Sequence, residues 1–158
     1  MNSISNTVHQ CCRAHCANVY VITEIALLPD GSVDVPETLN KISYIGKSKD
    51  SLNRASSHFP SPKKLRQLDF DSLDKKTEAI IEALCSTNPV AVINIDCCHE
   101  IVSYAVENVL IRCFKSHLTN AYAGHKKTLP DHVLDLLEVA ALDFVVAKLS
   151  AGDFDLTF

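Results

Sequence analysis

Residues 90–96, Val-Ala-Val-Ile-Asn-Ile-Asp, form an apolar run bounded by Asn88-Pro89 on one side and Cys97-Cys98 on the other. A run of this length after a breaker is too short for a helix of its own and reads as a buried strand. A buried strand needs partners, and the chain supplies two. Residues 18–28, Asn-Val-Tyr-Val-Ile-Thr-Glu-Ile-Ala-Leu-Leu, are rich in β-branched and aromatic types and predict a strand. Pro29-Asp30-Gly31-Ser32 marks a turn, and a further strand over about 41–45 is expected to end at Gly46. The turn residues between Ala26 and Asn40 predict a long hairpin with an extended loop.

The remainder is helical in pattern. Asp50 or Ser51 can cap a short helix reaching about His58, after which Pro60 and Pro62 break the chain. A helix over 73–84 follows Asp71-Ser72. Residues 103–117 carry an apolar stripe of Val106, Val109, Leu110, Cys113 and Phe114, with Arg112 and Lys115 opposite. At about 100° per residue, Glu107 falls on the edge of that stripe, half-buried. Pro130 can open a last helix to about Leu149, apolar around most of its circumference. One stripe facing a core covers only part of such a helix, so a second subunit covering the rest, in a homodimer, is an expectation alongside ordinary burial. The fold expected is α+β: a small, mainly antiparallel three-stranded central sheet flanked by helices, plus an extra C-terminal helix. Residues 1–17 read as an N-terminal extension, 18–124 as the core and 125–158 as a helical extension of the same domain.

Composition narrows the setting. At 158 residues and 47% apolar, the chain is the size of one domain with a full core. No stretch of about 18 apolar residues is present to span a membrane, and Met1 to Cys12 lack the basic-then-apolar order of a secretory signal. Seven cysteines, two pairs of them vicinal, suit reduced thiols in the cytoplasm. His9, Cys11, Cys12, His15 and Cys16 cluster, as do Cys97, Cys98 and His99, but their spacings match no zinc ribbon or finger. Cys97 and Cys98, taken as strand residues, would point to opposite faces. Structural zinc is therefore not expected, and a zinc-stapled interaction module is kept as a rival.

The net charge of −4 speaks against a nucleic-acid partner until its distribution is read. From Tyr44 to Arg66 there are six basic residues (Lys47, Lys49, Arg54, Lys63, Lys64, Arg66) against Asp50 alone, a window of +5. From Asp131 onward six acids face one lysine, giving −5. A charge run is by itself no more than a solvated face. The basic window, however, contains Tyr44-Ile45-Gly46-Lys47 followed by Arg54, ten residues after the tyrosine, and His58 one helical turn later.

This segment resembles the second half of the GIY-YIG nuclease signature, and over these residues it is similar to the nuclease module of bacterial nucleotide-excision-repair incision proteins. The first half of the signature looks like Asn18-Val19-Tyr20, with Asn18 where the family usually has Gly. Glu107 and Asn120 stand in the context and spacing of the family's helix-borne Glu and later Asn. His58 stands where the repair nucleases carry Tyr, and the segment between the two tyrosines is longer than usual. The resemblance implies a metal-dependent endonuclease acting on DNA with Mg²⁺ or Mn²⁺. It implies Glu107 as metal ligand, and Tyr20, Tyr44, Arg54, His58 and Glu107 as catalytic residues. Lys47, Lys49 and Asn120 are then the residues that touch substrate.

Elementary chemistry asks for the same residue types. Cleaving a phosphodiester needs an activated water, a Lewis acid on the phosphate and charge for the leaving oxygen. A lone carboxylate leaves most of a Mg²⁺ shell to water and phosphate, and a guanidinium grips phosphate in a fork. Near neutral pH a neutral His is a better base than Tyr, though a His can equally fill a pocket rim. Each residue has a plain structural role if taken singly: half-buried strand tyrosines, a surface arginine, a solvated helix glutamate. A catalytically silent nucleic-acid-binding or regulatory protein on the same scaffold is the main alternative.

Overall fold

The computed structural model describes residues 18–59, 61–69, 71–97, 100–114 and 130–156. Its centre is an antiparallel sheet of four strands: β1 (Asn18–Glu24), β2 (Ile42–Ser48), β3 (Val90–Ile95) and β4 (Asp155–Leu156), in the order β2-β1-β3-β4. β1 lies between β2 and β3, and from Val19 to Thr23 every side chain is buried. Alternation along the strands therefore serves two cores. Val19, Val21, Ile45, Ala91, Ile93 and Ile95 belong to the larger one. Tyr20, Ile22, Val90 and Val92 belong to a smaller one on the opposite face.

Six helices accompany the sheet among the described residues: α1 (Val35–Asn40), α2 (Ser51–Ser56), α3 (Pro62–Leu65), α4 (Lys75–Cys85), α5 (Glu100–Phe114) and α6 (Asp131–Ala151). The larger core is closed by Val106, Val109, Leu110 and Phe114 of α5, and by Leu134, Ala141, Val145 and Leu149 of α6. Arg112 of α5 clasps both Asp135 (2.8 Å) and Glu138 (3.0 Å) of α6 at the exposed side of this helix pair. Next to Arg112 on α5, burial and then the Glu138 carboxylate push the Cys113 thiol up to about 11, so it stays protonated in the seam. The smaller core is covered by the short α2, through Ala55 and the following Phe59.

The fold is α+β with an antiparallel sheet, as expected, but the sheet has a fourth strand. The α6 helix ends at Gly152 in the left-handed region (φ +67°), with the Gly152 and Asp153 amides donating to Leu149 and Lys148 carbonyls. That reversal returns the chain along β3, where Ala91 and Val92 pair with Leu156 and Asp155. Two residues carry no period, which is why this strand has no sequence signature. β2 also differs from expectation: it continues through Gly46 to Ser48. The insertion between Ala26 and Asn40 is a tight turn closed by a Leu27–Val33 bridge, then α1 capped by Asp34. No helix among the described residues is long and apolar enough to cross a membrane. On α6, Leu136 and Val139 are 75% and 62% exposed, and Phe144 and Val146 are exposed beside them.

One buried polar residue ties the insertion to the sheet. Thr38 of α1 is fully buried; its hydroxyl accepts from the Ala26 amide (3.0 Å), and its carbonyl accepts from the Thr23 hydroxyl (3.0 Å). Thr38→Val keeps the shape and removes the acceptor, leaving the Ala26 amide buried without a partner. Chemical denaturation should show a loss of about 1–3 kcal/mol, the usual cost of such an orphaned group. An unchanged midpoint would mean that this hydrogen bond does not anchor the insertion.

Candidate active site

Tyr20 is opposite Gly46 in the β1–β2 register, and its ring lies across that glycine. A Cβ at position 46 would stand 2.5 Å from both Cζ and Oη of Tyr20. The glycine is thus the floor on which the ring rests. The strand was expected to end here; instead it continues to Ser48, and the Tyr20 ring occupies the space over the glycine. Its hydroxyl lies over Gly46, buried with the ring, and is bonded to His58 Nε2 at 2.7 Å.

Tyr44 joins this face through a slip in register. Ile22 pairs with Tyr44, but Thr23 pairs with Ile42, so Ser43 is the extra residue of a bulge. Ile42 consequently packs with Ile45 in the larger core, while Tyr44 two residues on faces the smaller one. Without the bulge, strict alternation would set Ile42 and Tyr44 on one face. The Tyr44 ring lies 6.1 Å from that of Tyr20 and 4.3 Å from that of His58, centroid to centroid.

The α2 helix brings the next two residues. Asp50 caps it, accepting from the Asn53 amide at 3.2 Å. The exposed Arg54 sits in its last turn, with its guanidinium charge acting on both tyrosine hydroxyls. After Ser56 the chain stays wound in a turn, with the His58 and Phe59 amides donating to the Ala55 and Ser56 carbonyls. This turn holds the half-buried His58 between the two tyrosines.

Glu107 comes from the helix on the other core. At 9% exposed it is more buried than its position on the stripe suggested, and its charge acts on the Tyr44 hydroxyl. β2 is an edge strand of the sheet, so a side chain from α5 can approach the Tyr44 hydroxyl around that edge. Burial and the Tyr44 neighbour raise the Tyr20 hydroxyl well above its ordinary value of 10.0, with Arg54 pulling the other way. Burial likewise raises Tyr44; Arg54 lowers it and Glu107 raises it further. Both phenols are neutral near physiological pH.

Five of the expected residues, Tyr20, Tyr44, Arg54, His58 and Glu107, are therefore brought together. Lys47 is not. It pairs with Val19 on the larger-core face, and its ammonium faces Glu100 (3.8 Å) and the ring of Tyr104 (5.1 Å), both on α5. One residue from Gly46 along a pleated strand, it could not share that face. Lys49, past the end of β2, is exposed at the rim of a separate cleft. Asn120 lies outside the described residues, as do His9, Cys11, Cys12, His15, Cys16, Cys98 and His99. Among the described residues no group of three or more His, Cys, Asp or Glu side chains gathers to hold a metal. Asn18, named in the sequence only as the start of the first motif, and Asn94, which the sequence reading passed over, flank Tyr20 on its own face. Asn94 had a signal: it is a polar residue inside an apolar strand.

Gly46→Ala should force the Tyr20 ring aside and cost about 1–3 kcal/mol, as overpacking does, with the Tyr20–His58 bond lost. The Tyr20 hydroxyl also makes an alkaline prediction. Its folded pKa lies above the unfolded value of 10.0, so below that pH both states are protonated and it has no effect. Above it the unfolded chain ionises first, and stability falls as pH rises towards the folded pKa. Tyr20→Phe should flatten that decline in denaturation midpoints measured against pH; an identical slope in the variant would show that Tyr20 is not the group responsible.

Protein-family models, curated proteins and solved structures were each compared with the chain, and none matches it.

Proposed function

We propose that this protein is a divalent-metal-dependent endonuclease of the GIY-YIG type that hydrolyses DNA phosphodiester bonds. The observation that carries the reading is the meeting of Tyr20, Tyr44, Arg54, His58 and Glu107, drawn from β1, β2, α2 with its following turn, and α5. Ordinary packing has no need to turn two tyrosine hydroxyls, a histidine, a guanidinium and a buried carboxylate towards one another. Perturbed titratable groups gathered in this way are a mark of a working site.

In this reading Arg54, exposed at the mouth of the cluster, grips the non-bridging oxygens of the phosphate and gains strength as charge develops there. Glu107 would hold Mg²⁺ or Mn²⁺. A single carboxylate suits an ion that keeps most of its water. When bound, that ion supplies Lewis acidity at the phosphate and acidifies a coordinated water. The chain's own proton path starts from the tyrosines, which stay neutral and so orient the water instead of ionising. As the water attacks phosphorus and the P–O bond to the departing strand breaks, Tyr20 Oη takes the water's proton and passes its own to His58 Nε2, the base of the set, while the leaving oxygen takes a proton from solvent. Beyond the cluster, Lys49, Lys63, Lys64 and Arg66 are all exposed and extend a basic surface for the DNA backbone. Lys47, held against α5, has no part in it.

Two further features belong to the proposal. A second copy covers the apolar side of α6, where Leu136, Val139, Phe144 and Val146 are exposed, and a dimer suits cutting both strands of a duplex. The odd cysteine count suits a reducing, cytoplasmic setting.

Glu107→Ala should abolish cleavage of plasmid and branched DNA in Mg²⁺ or Mn²⁺, while DNA binding, which rests on the basic residues, persists and weakens as salt rises. Wild-type protein that binds DNA and never cuts it would turn the reading towards the silent binding protein. Undiminished cutting by the variant would remove Glu107 from the site. Light scattering should give twice the 17.4 kDa of one chain at micromolar concentration, and a clean monomer would dismiss the second copy.

A further inference from the structure

We propose that the cleft beside Tyr20 holds one unpaired nucleobase of the strand being cut, so that the substrate is single-stranded or locally opened DNA; this rests on the nuclease reading above. The cleft has a volume of about 280 Å³ and is lined by Asn18, Lys49, Asp50, Leu52, Asn94 and Asp155. It opens on the tyrosine face of the sheet. Asn94 is the β3 partner of Tyr20, and Asn18 lies two residues before Tyr20 on β1. Neighbouring strands stand about 4.8 Å apart and same-face residues about 7 Å apart, so the cleft begins one such step from the tyrosine.

Size, charge and chemistry agree on the ligand. Small-molecule pockets run from about 300 to 1,000 Å³, so this one fits a single planar ring and little more. Its lining carries one lysine against two aspartates, which disfavours a phosphate inside it. Two carboxamides and two carboxylates are instead the groups that read donor and acceptor edges of bases. Asn94 is held ready: its amide nitrogen donates to Asp96 at 2.6 Å, which fixes the plane of the carboxamide. Leu52, 45% exposed on α2, offers an apolar surface for the face of a ring. On β3 the same-face Val90 and Val92 are buried, whereas Asn94 is half-buried beside the opening. Lys49 stands at the rim, where the phosphate flanking an inserted base would lie.

A base inside a duplex cannot enter so narrow a cleft without leaving the stack, and that cost is least where the base is already unpaired. The cleft would thereby select nicked, branched or single-stranded DNA without a separate sequence-reading module. Binding to a short, dye-labelled single strand without divalent metal tests this, with an abasic nucleotide moved through every position. One abasic position should weaken wild-type binding by about tenfold, the scale of one good base contact. Asn94→Ala and the exposed Leu52→Ala should each weaken the intact strand to a similar degree and erase that difference. Equal losses at every position, or a difference that survives in both variants, would overturn the cleft as a base site. Deoxynucleoside monophosphates that bind as tightly as the strand would overturn it in favour of a free-nucleotide site. Cleavage of plasmid and branched DNA in Mg²⁺ is measured alongside. A wild type that cuts without any abasic effect defeats the cleft alone; one that neither binds nor cuts defeats the nuclease reading as well.

Discussion

The contact between the Tyr20 ring and the bare Cα of Gly46 is the fit on which the candidate site depends. It lets a side chain rooted in the central strand lie over its neighbour and set a buried hydroxyl above Gly46, within reach of His58. A methyl group at position 46 would block that path at 2.5 Å. The glycine is needed here for the room above it, since its backbone adopts no left-handed conformation. Once the ring is seated, burial keeps its phenol neutral and His58 gives the hydroxyl a partner at 2.7 Å.

The second constraint is the bulge at Ser43. A sheet with a core on each face sorts its residues by parity, and parity alone would give Ile42 and Tyr44 the same face. The extra residue lets β2 contribute Ile42 and Ile45 to the larger core and still offer Tyr44 to the smaller one. Past the bulge, ordinary alternation sets Lys47 on the face opposite Gly46. A motif written in a line is thus divided between two faces, with Tyr44 and Gly46 on one and Lys47 on the other.

Much of this was legible in the sequence, for identifiable reasons. The strands were marked by β-branched runs between breakers, α5 by its stripe, and the candidate residues by the spacing from Tyr44 to Arg54 and His58. What stayed hidden depends on space and not on order along the chain. The room that Gly46 leaves for Tyr20 is a relation between two strands. The burial of Glu107 depends on how α5 lies along the edge strand, which a helical wheel does not contain. The face of Lys47 was open to inspection through its adjacency to Gly46, but a motif read as a unit conceals it. Thr38 looks like any helix threonine until the amide of Ala26 arrives beneath it.

The turn at Gly152 has a consequence of a different kind. β3 would otherwise present its outer edge along its whole length, a row of amides and carbonyls open to any passing strand. The reversal after α6 lays Asp155 and Leu156 against Val92 and Ala91, with a carboxylate on the added strand. Two residues add little binding energy, but they shorten the open template and place negative charge beside it. The left-handed glycine that ends a helix thereby serves as a guard against strand exchange between molecules, keeping an apolar β3 from recruiting the sheets of its neighbours.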